Sequence, residues 1–554
     1  MGAAMLDNES NEGVGKLPWF RLANPSVQIC LISATLFFNP GLYLAVTVGE
    51  SQMKTLASAL LINHSCWALV ADALPRPLWA TSRTVSFTGE SDSALSTYTS
   101  IPKVQNSIFA FSAVAAGPLL NKIGPRWTLM FGITGYPIYQ GAMWYFDESG
   151  LLWYPILAGA YLGLSPGCLW TTSVFVATAY PEERDKGRWR SIQWSANVAT
   201  HRSKSGSAIG AAVALGISWN SQLEGVPHSV YIVFIILQCL STGFALLVRH
   251  PETLRRCDGT ALATFDPMSL PDVLKITGSL LVDWRILMLV PCMFAPVSHV
   301  LLDVEVSIHS LMTRKEMFFP FQASMNAYAF NLRTRVLNSM LNNLIQIPAA
   351  LFLGWILDNE RLGSRKRRAF IGITFDACWI ISTYIAQTAW LASWRFDRSV
   401  PGPMIDCTDP AYAGAIVIYM LYAAQYGIFQ NMVIYVLGTL TNEPRKTAAI
   451  GGLFVGVLSA GTAVSFGIDA TAQPYENENA AYFALSTICW PILYYVVWKC
   501  TTDTNYLTEE GVIAPVHVRK ELALEGIAEV SEANDAGTIG REKRDTINDG
   551  AEGV

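Results

Sequence analysis

Runs of apolar residues long enough to cross a lipid bilayer recur along almost the whole chain, and this excludes most fold classes. A spanning helix needs about 17–25 such residues. Candidate runs lie near Val27–Val48, Ser107–Leu120, Thr128–Tyr145, Tyr154–Ala179, Ile192–Trp219 and Ser229–Val248. They continue at Ile286–Leu302, Val336–Leu357, Phe370–Trp390, Ala411–Leu440, Ala448–Phe466 and Ala480–Trp498. Backbone exposed to hydrocarbon must satisfy its own hydrogen bonds, so these segments are expected to be helices. Charged residues make up 15% of the 554 positions, against about 25% in soluble domains. The expected fold is an all-α membrane protein with about twelve transmembrane helices.

A short pattern appears twice and sets the architecture. Gly117-Pro-Leu-Leu-Asn121-Lys122-Ile-Gly124-Pro-Arg126 follows one apolar run. Gly354-Trp-Ile-Leu-Asp358-Asn-Glu-Arg361-Leu-Gly363-Ser-Arg365 follows another, one copy in each half. Both read Gly-x-x-x-Asn/Asp, then a base, then Gly, then a base. The Gly permits close helix approach, Asn121 or Asp358 can cap the following turn or pair with a base, and the bases can anchor at anionic headgroups. Duplication of such a unit predicts two pseudo-symmetric halves of six helices each. The turns can also join and release the halves as gates; an ordinary pair of basic loops is the plainer reading. Arg126 and Arg365 are expected to act as a matched pair.

Charge and composition divide the chain. Residues 1–24 read as a polar tail, 25–248 as the first half, 249–285 as a Pro-containing linker, 286–500 as the second half and 501–554 as a disordered tail. The densest basic loops, including Arg184/Lys186/Arg188/Arg190 and Arg361/Arg365–Arg368, fall on one side of the membrane. The positive-inside rule then predicts both termini in the cytosol. Three stretches interrupt the pattern: 50–103 as a long outer loop, 200–205 with His201 and Arg202, and 296–316 with Asp303, Glu305, Arg314 and Lys315. Such charge is costly in a span, so these read as insertions or translated introns. Asn63-His-Ser65 is a glycosylation sequon within the first.

Amides inside spans are the candidate solute-contacting groups. Asn39 and Tyr43 lie on the first span, Gln193, Trp194 and Asn197 on the fifth, Asn342 and Gln346 on the eighth, and Gln425 and Asn431 on the tenth. Gln193 with Asn197, and Asn342 with Gln346, are spaced i, i+4 and share a helix face. Buried amides want partners, which interhelical bonding supplies singly and a solvated central cavity supplies as a set. Asp376, a few residues into the ninth span, is expected to pair with Arg367 or Arg368 rather than carry a proton. The ten Cys form no CxxC or Cys/His cluster, and no metal spacing, phosphate loop or nucleophile arrangement is present. No cofactor, nucleic acid or enzymatic activity is expected.

Beyond these motifs, Phe37-Phe-Asn39-Pro40-Gly41, Gly135-Tyr136-Pro-Ile-Tyr139, Gly163-x-x-Pro166-Gly167-x-Leu169-Trp170 and Tyr180-Pro181-Glu182-Glu183-x-x-Lys186-Gly187-Arg188 stand in order along the first half. Phe330-Asn331-Leu-Arg333-Thr-Arg335 opens the eighth span. With Gly117–Arg126, the set resembles the major facilitator superfamily, and within it the fungal branch of the Unc-93-like proteins. Asn121 departs from the superfamily signature, where an acidic residue is commoner. The resemblance implies a facilitator fold in a lipid bilayer. It implies either passage of a small solute by alternating access or regulation of a channel or of a membrane-protein partner's trafficking. It names no solute.

Overall fold

The structure is a computed structural model that describes residues 20–40, 92–149, 153–202, 228–263, 269–296, 329–394, 402–469, 474–506, 509 and 512–524. Tyr43, the sequon and most of the three interrupting stretches lie outside them. The first half contains α1 (Pro25–Phe38), α2 (Asp92–Ser149), α3 (Trp153–Ala179), α4 (Lys186–Arg202) and α5 (His228–Leu246). A linker helix α6 (Leu270–Leu281) follows. The second half contains α7 (Trp284–Phe294), α8 (Leu332–Asp358), α9 (Arg365–Trp394), α10 (Tyr412–Leu440), α11 (Pro444–Asp469) and α12 (Tyr475–Cys500). A short α13 (Val516–Leu524) comes last.

Local chemistry explains these boundaries. Asn24 caps α1, its Oδ1 accepting from Ser26 N at 3.0 Å, and Asn331 caps α8 through Thr334 N at 3.0 Å. Such caps satisfy first-turn N–H groups that have no intrahelical acceptor. Helix α2 is two limbs joined at Gly124, whose φ of 80° no β-carbon residue adopts readily. The second and third apolar runs fall on the two limbs. Five helical segments among the described residues are long and apolar enough to cross a membrane, in α3, α9, α10, α11 and α12. Shorter apolar helical stretches lie in α1, α5, α7 and α8. Large side chains such as Leu157, Ile236, Trp355 and Trp498 face outward, as expected where lipid is the solvent.

One apolar core gathers the second half around Leu289, Tyr384, Val433 and Leu493. Another gathers α1, α2, α3 and α5 around Ile32, Leu129 and Tyr180. Across the halves, α2 packs along α11 and α4 along α8. If each half has six spans, shifting by six exchanges these two pairs, which is the symmetry the duplicated turn predicts.

Three expectations need correction. The stretch read as loop to 103 is helical from Asp92, and α4 runs on through Arg202. Within the linker, Asp272 Oδ2 accepts from Ser269 N at 3.3 Å, part of the capping box that starts α6. The tail is not disordered from 501. Val512 bridges to Ala263, Val516 N donates to Asp258 Oδ2 at 2.8 Å, and Arg256 Nη1 donates to Ile513 O at 2.8 Å. The polar composition of this segment gave no sign that a single backbone bridge and a carboxylate in the linker would order it.

Candidate functional site

Both duplicated turns lie on seams between the halves. A β-carbon at Gly117 would stand 3.0 Å from Ala449 Cα and 3.1 Å from Ala448 O, on α11. One at Gly354 would stand 2.8 Å from Ser191 Cβ and 2.9 Å from Gly187 O, on α4. Each glycine therefore lets a helix of one half touch the backbone of the other. Beyond them, Asn121 Nδ2 donates to Arg445 O at 3.0 Å, in the first turn of α11. Asp358 accepts from Gly187 N at 3.0 Å and from Arg188 N, in the first turn of α4. Neither residue caps its own following turn, as read from sequence; each instead holds the start of a helix across the seam. Gly124 and Gly363 both take positive φ, 80° and 101°, and close the turns in the same way.

The basic residues break the symmetry. Lys122 and Arg361 are exposed. Arg126, also exposed, donates from Nε to Val248 O at 3.0 Å, past the end of α5 in its own half. Arg365 is buried and crosses the seam to Glu183 Oε1 at 3.1 Å. The two arginines occupy matching positions in the motif but are not a matched pair. Glu183 also accepts from Asn442 Nδ2 at 2.6 Å and Asn505 N at 2.9 Å. Burial raises the Glu183 pKa, but Arg365, Lys186, the Asn505 N–H and the Asn442 amide outweigh it and hold the carboxyl below the usual range. Lys186 Nζ reaches Gly438 O at 2.7 Å and Asn442 Oδ1 at 2.8 Å in the second half. Asn442 thus receives the cation on one side and holds the anion on the other.

Deeper along α4, several of the expected solute-contacting residues converge. Gln193 Nε2 donates to Ser173 O at 2.9 Å, and its Oε1 accepts from Arg190 Nη1 at 2.8 Å. Arg190 Nε donates to Asn431 Oδ1 at 3.0 Å on α10. The same guanidinium lies 5.4 Å from the Trp194 ring centroid, and that ring meets Tyr426 edge-on at 5.4 Å. Gln346 is buried near Trp194, both bordering Gly427. Asn39 belongs elsewhere: its amide donates to Ser241 Oγ between α1 and α5. Gln425 is buried on α10, while Asn197 and Asn342 lie on α4 and α8 with side chains outside the described set. Asp376 is fully buried near Trp490 and forms no pair with Arg367 or Arg368.

Sequence reading missed Glu183, Lys186, Arg190 and Asn442 as interior residues. Counting bases by loop put Lys186 and Arg190 in solvent, yet both are buried. The available signal was spacing: Arg190 precedes Gln193 by three and Trp194 by four, which puts all three on one helix face.

Two apolar-cored helical halves, joined along helix-to-helix seams, define an integral multi-pass membrane protein with the major facilitator fold. A major facilitator superfamily transporter, FucP, in the outward conformation matches 87% of this chain with a TM-score of 0.54 at 10% identity, using all of its own length. The human organic anion transporter MFSD10 matches 85% of the chain and 99% of its own, with a TM-score of 0.53 at 11% identity. Residues 91–296 match the sequence profile described as "Ion channel regulatory protein UNC-93". An uncharacterized membrane protein of Schizosaccharomyces pombe is 34% identical over 378 residues, covering 68% of this chain and 72% of its own. UNC93-like protein 1 of Arabidopsis thaliana is 26% identical over 404 residues, covering 72% and 82%. The chain belongs to the Unc-93-like family.

Proposed function

We propose that this protein moves a small solute across its membrane by alternating access, with the two halves rocking about the α4–α10 polar cluster. The observation that carries the reading is the pair of seams. Each is closed by a glycine contact and by one side chain holding the first turn of a helix in the opposite half. When the halves part, those helix-end groups and the Glu183–Arg365 pair return to water, so closing and opening differ by a few exchangeable bonds. The turns then act as gates, with the basic face and both termini in the cytosol. Comparing metabolites in deletion and overexpression cells, with uptake followed in both directions, tests the reading. A solute whose flux follows protein level, and changes in Arg365→Ala at matched surface level, supports it.

The family description supports a second reading, a regulator that keeps the fold and acts through a membrane-protein partner. No flux for any solute, together with a partner whose activity depends on this chain, would favour it.

A further inference from the structure

Among the described residues, Arg190 is a buried cation with no carboxylate paired to it. Its partners are the amide oxygens of Gln193 and Asn431 and the face of Trp194, with the Tyr426 hydroxyl also acting on its charge. Neutral oxygens and a ring face offset only part of the cost of removing a guanidinium from water. Around it stand three further N–H groups that find no acceptor among the described groups, Trp194 Nε1, Asn431 Nδ2 and Gln346 Nε2, beside one acceptor without a donor, Gln346 Oε1. All three residues are at least nine-tenths buried. An unpaired buried donor is costly, and several donors gathered near one uncompensated cation are short of the same thing, an anionic acceptor. Gly427 lets the Trp194 indole and Gln346 pack against α10, since a β-carbon there would lie 2.9 Å from Trp194 Nε1 and 3.5 Å from Gln346 Oε1. The Trp194 and Tyr426 rings supply an apolar wall beside the charge.

We propose that this cluster is the solute site and that the solute is an organic carboxylate: a single negative group for Arg190, on an apolar or aromatic body that lies against Trp194 and Tyr426. The assignment rests on the transport reading above and gives it a substrate class. It also links occupancy to the halves. Arg190 sits on α4 and Asn431 on α10, so a carboxylate that takes the guanidinium competes for a hydrogen bond crossing between them.

The test uses the full chain purified in nanodiscs. Benzoate, indole-3-acetate and hexanoate are titrated beside benzamide, indole-3-acetamide and hexanamide, with inorganic phosphate as a further anion. At least one carboxylate is expected to bind, its amide at least about tenfold more weakly, as charge-assisted hydrogen bonding implies. Arg190→Gln should lose that preference and Arg190→Lys retain part of it. Asn431→Asp supplies the missing carboxylate from within and should abolish binding while leaving the chain folded by thermal melting, which covers the case where Arg190→Gln fails to fold. No carboxylate binding, equal binding of acid and amide, binding of phosphate alone, or unchanged binding in Asn431→Asp overturns the proposal. Proteoliposome flux separates it from the transport reading. Carboxylate binding without flux of any solute sinks transport and leaves the site; flux of a neutral solute without carboxylate binding does the reverse.

Discussion

The two copies of the duplicated turn share a backbone and differ in their electrostatics. Gly117 and Gly354 make the same close approach, Gly124 and Gly363 the same left-handed bend, and Asn121 and Asp358 the same reach to a helix start across the seam. The first copy does this with a neutral amide donating to one carbonyl, and its arginine stays in its own half. The second uses a carboxyl group on two first-turn N–H groups, which offset only part of a burial that pushes its pKa up to about 7, and its arginine enters a buried ion pair. One seam is held mainly by fit, the other by fit and charge. A molecule built this way can release its seams at different cost while keeping its symmetry.

The largest test of that difference is Arg365→Ala. Removing one partner of a buried pair costs about 3–5 kcal/mol, here by leaving Glu183 with the Asn442 and Asn505 bonds but without its guanidinium, so the α4–α8 seam should open. Distances between spin labels placed on the two halves would report it, and a lengthening confined to α2–α11 would contradict the assignment. The double change Glu183→Gln with Arg365→Met should recover most of the closed population. The same contact has a pH signature. Glu183 has a lowered pKa when the seam is closed, so its contribution is fully present above the ordinary glutamate value of about 4.3. It is lost as pH falls through the lower, closed-state value. Acid should therefore weaken the Glu183–Arg365 contact, and Glu183→Gln should remove that part of the dependence. It leaves Asp358, pushed up to about 7 by burial, and Lys186, pushed down to about 7 by burial, to titrate at higher pH.

Next in size come Gly354→Val and Gly117→Val, which ask whether fit is shared equally. Overpacking costs about 1–3 kcal/mol, and both seams should respond alike because both β-carbons meet backbone. A large effect in one and none in the other would break the symmetry argument. Asp358→Asn should cost about 0.5–2 kcal/mol, the range for losing a helix cap, by the same label distances. Asn121→Asp should not strengthen its own seam, since a carboxylate there would face the Arg445 carbonyl. The smallest effect belongs to Arg126→Ala, about 0.5–1 kcal/mol for one part-buried hydrogen bond. It should show as local loosening at Val248 in hydrogen exchange, with the seams unchanged.

Much of the fold was legible because it depends on composition and period. Apolar length marked the helices, and the repeated Gly-x-x-x-Asn/Asp marked the two turns. Placing the bases was harder. Lys186 and Arg190 sit in a basic run that obeys the charge rule, and nothing local says that α8 and α10 will cover them. The ordered stretch after Cys500 was hidden for a like reason, since its partners, among them Glu183, Asp258, Arg256, Thr439 and Asn442, lie far away in sequence.

By itself the sequence determined that this is a two-halved helical membrane protein, with glycines at two equivalent turns where helices must meet. Those are properties of the local chain, because solvent and backbone geometry act on each segment alone. Only the tertiary structure decided which half each polar group serves. Asp358 caps a helix that is not its own, Arg365 finds its acid across the seam while Arg126 does not, and Arg190 lies buried among amides rather than in water. Pairing between halves depends on which helix faces which, and residue type carries no record of that.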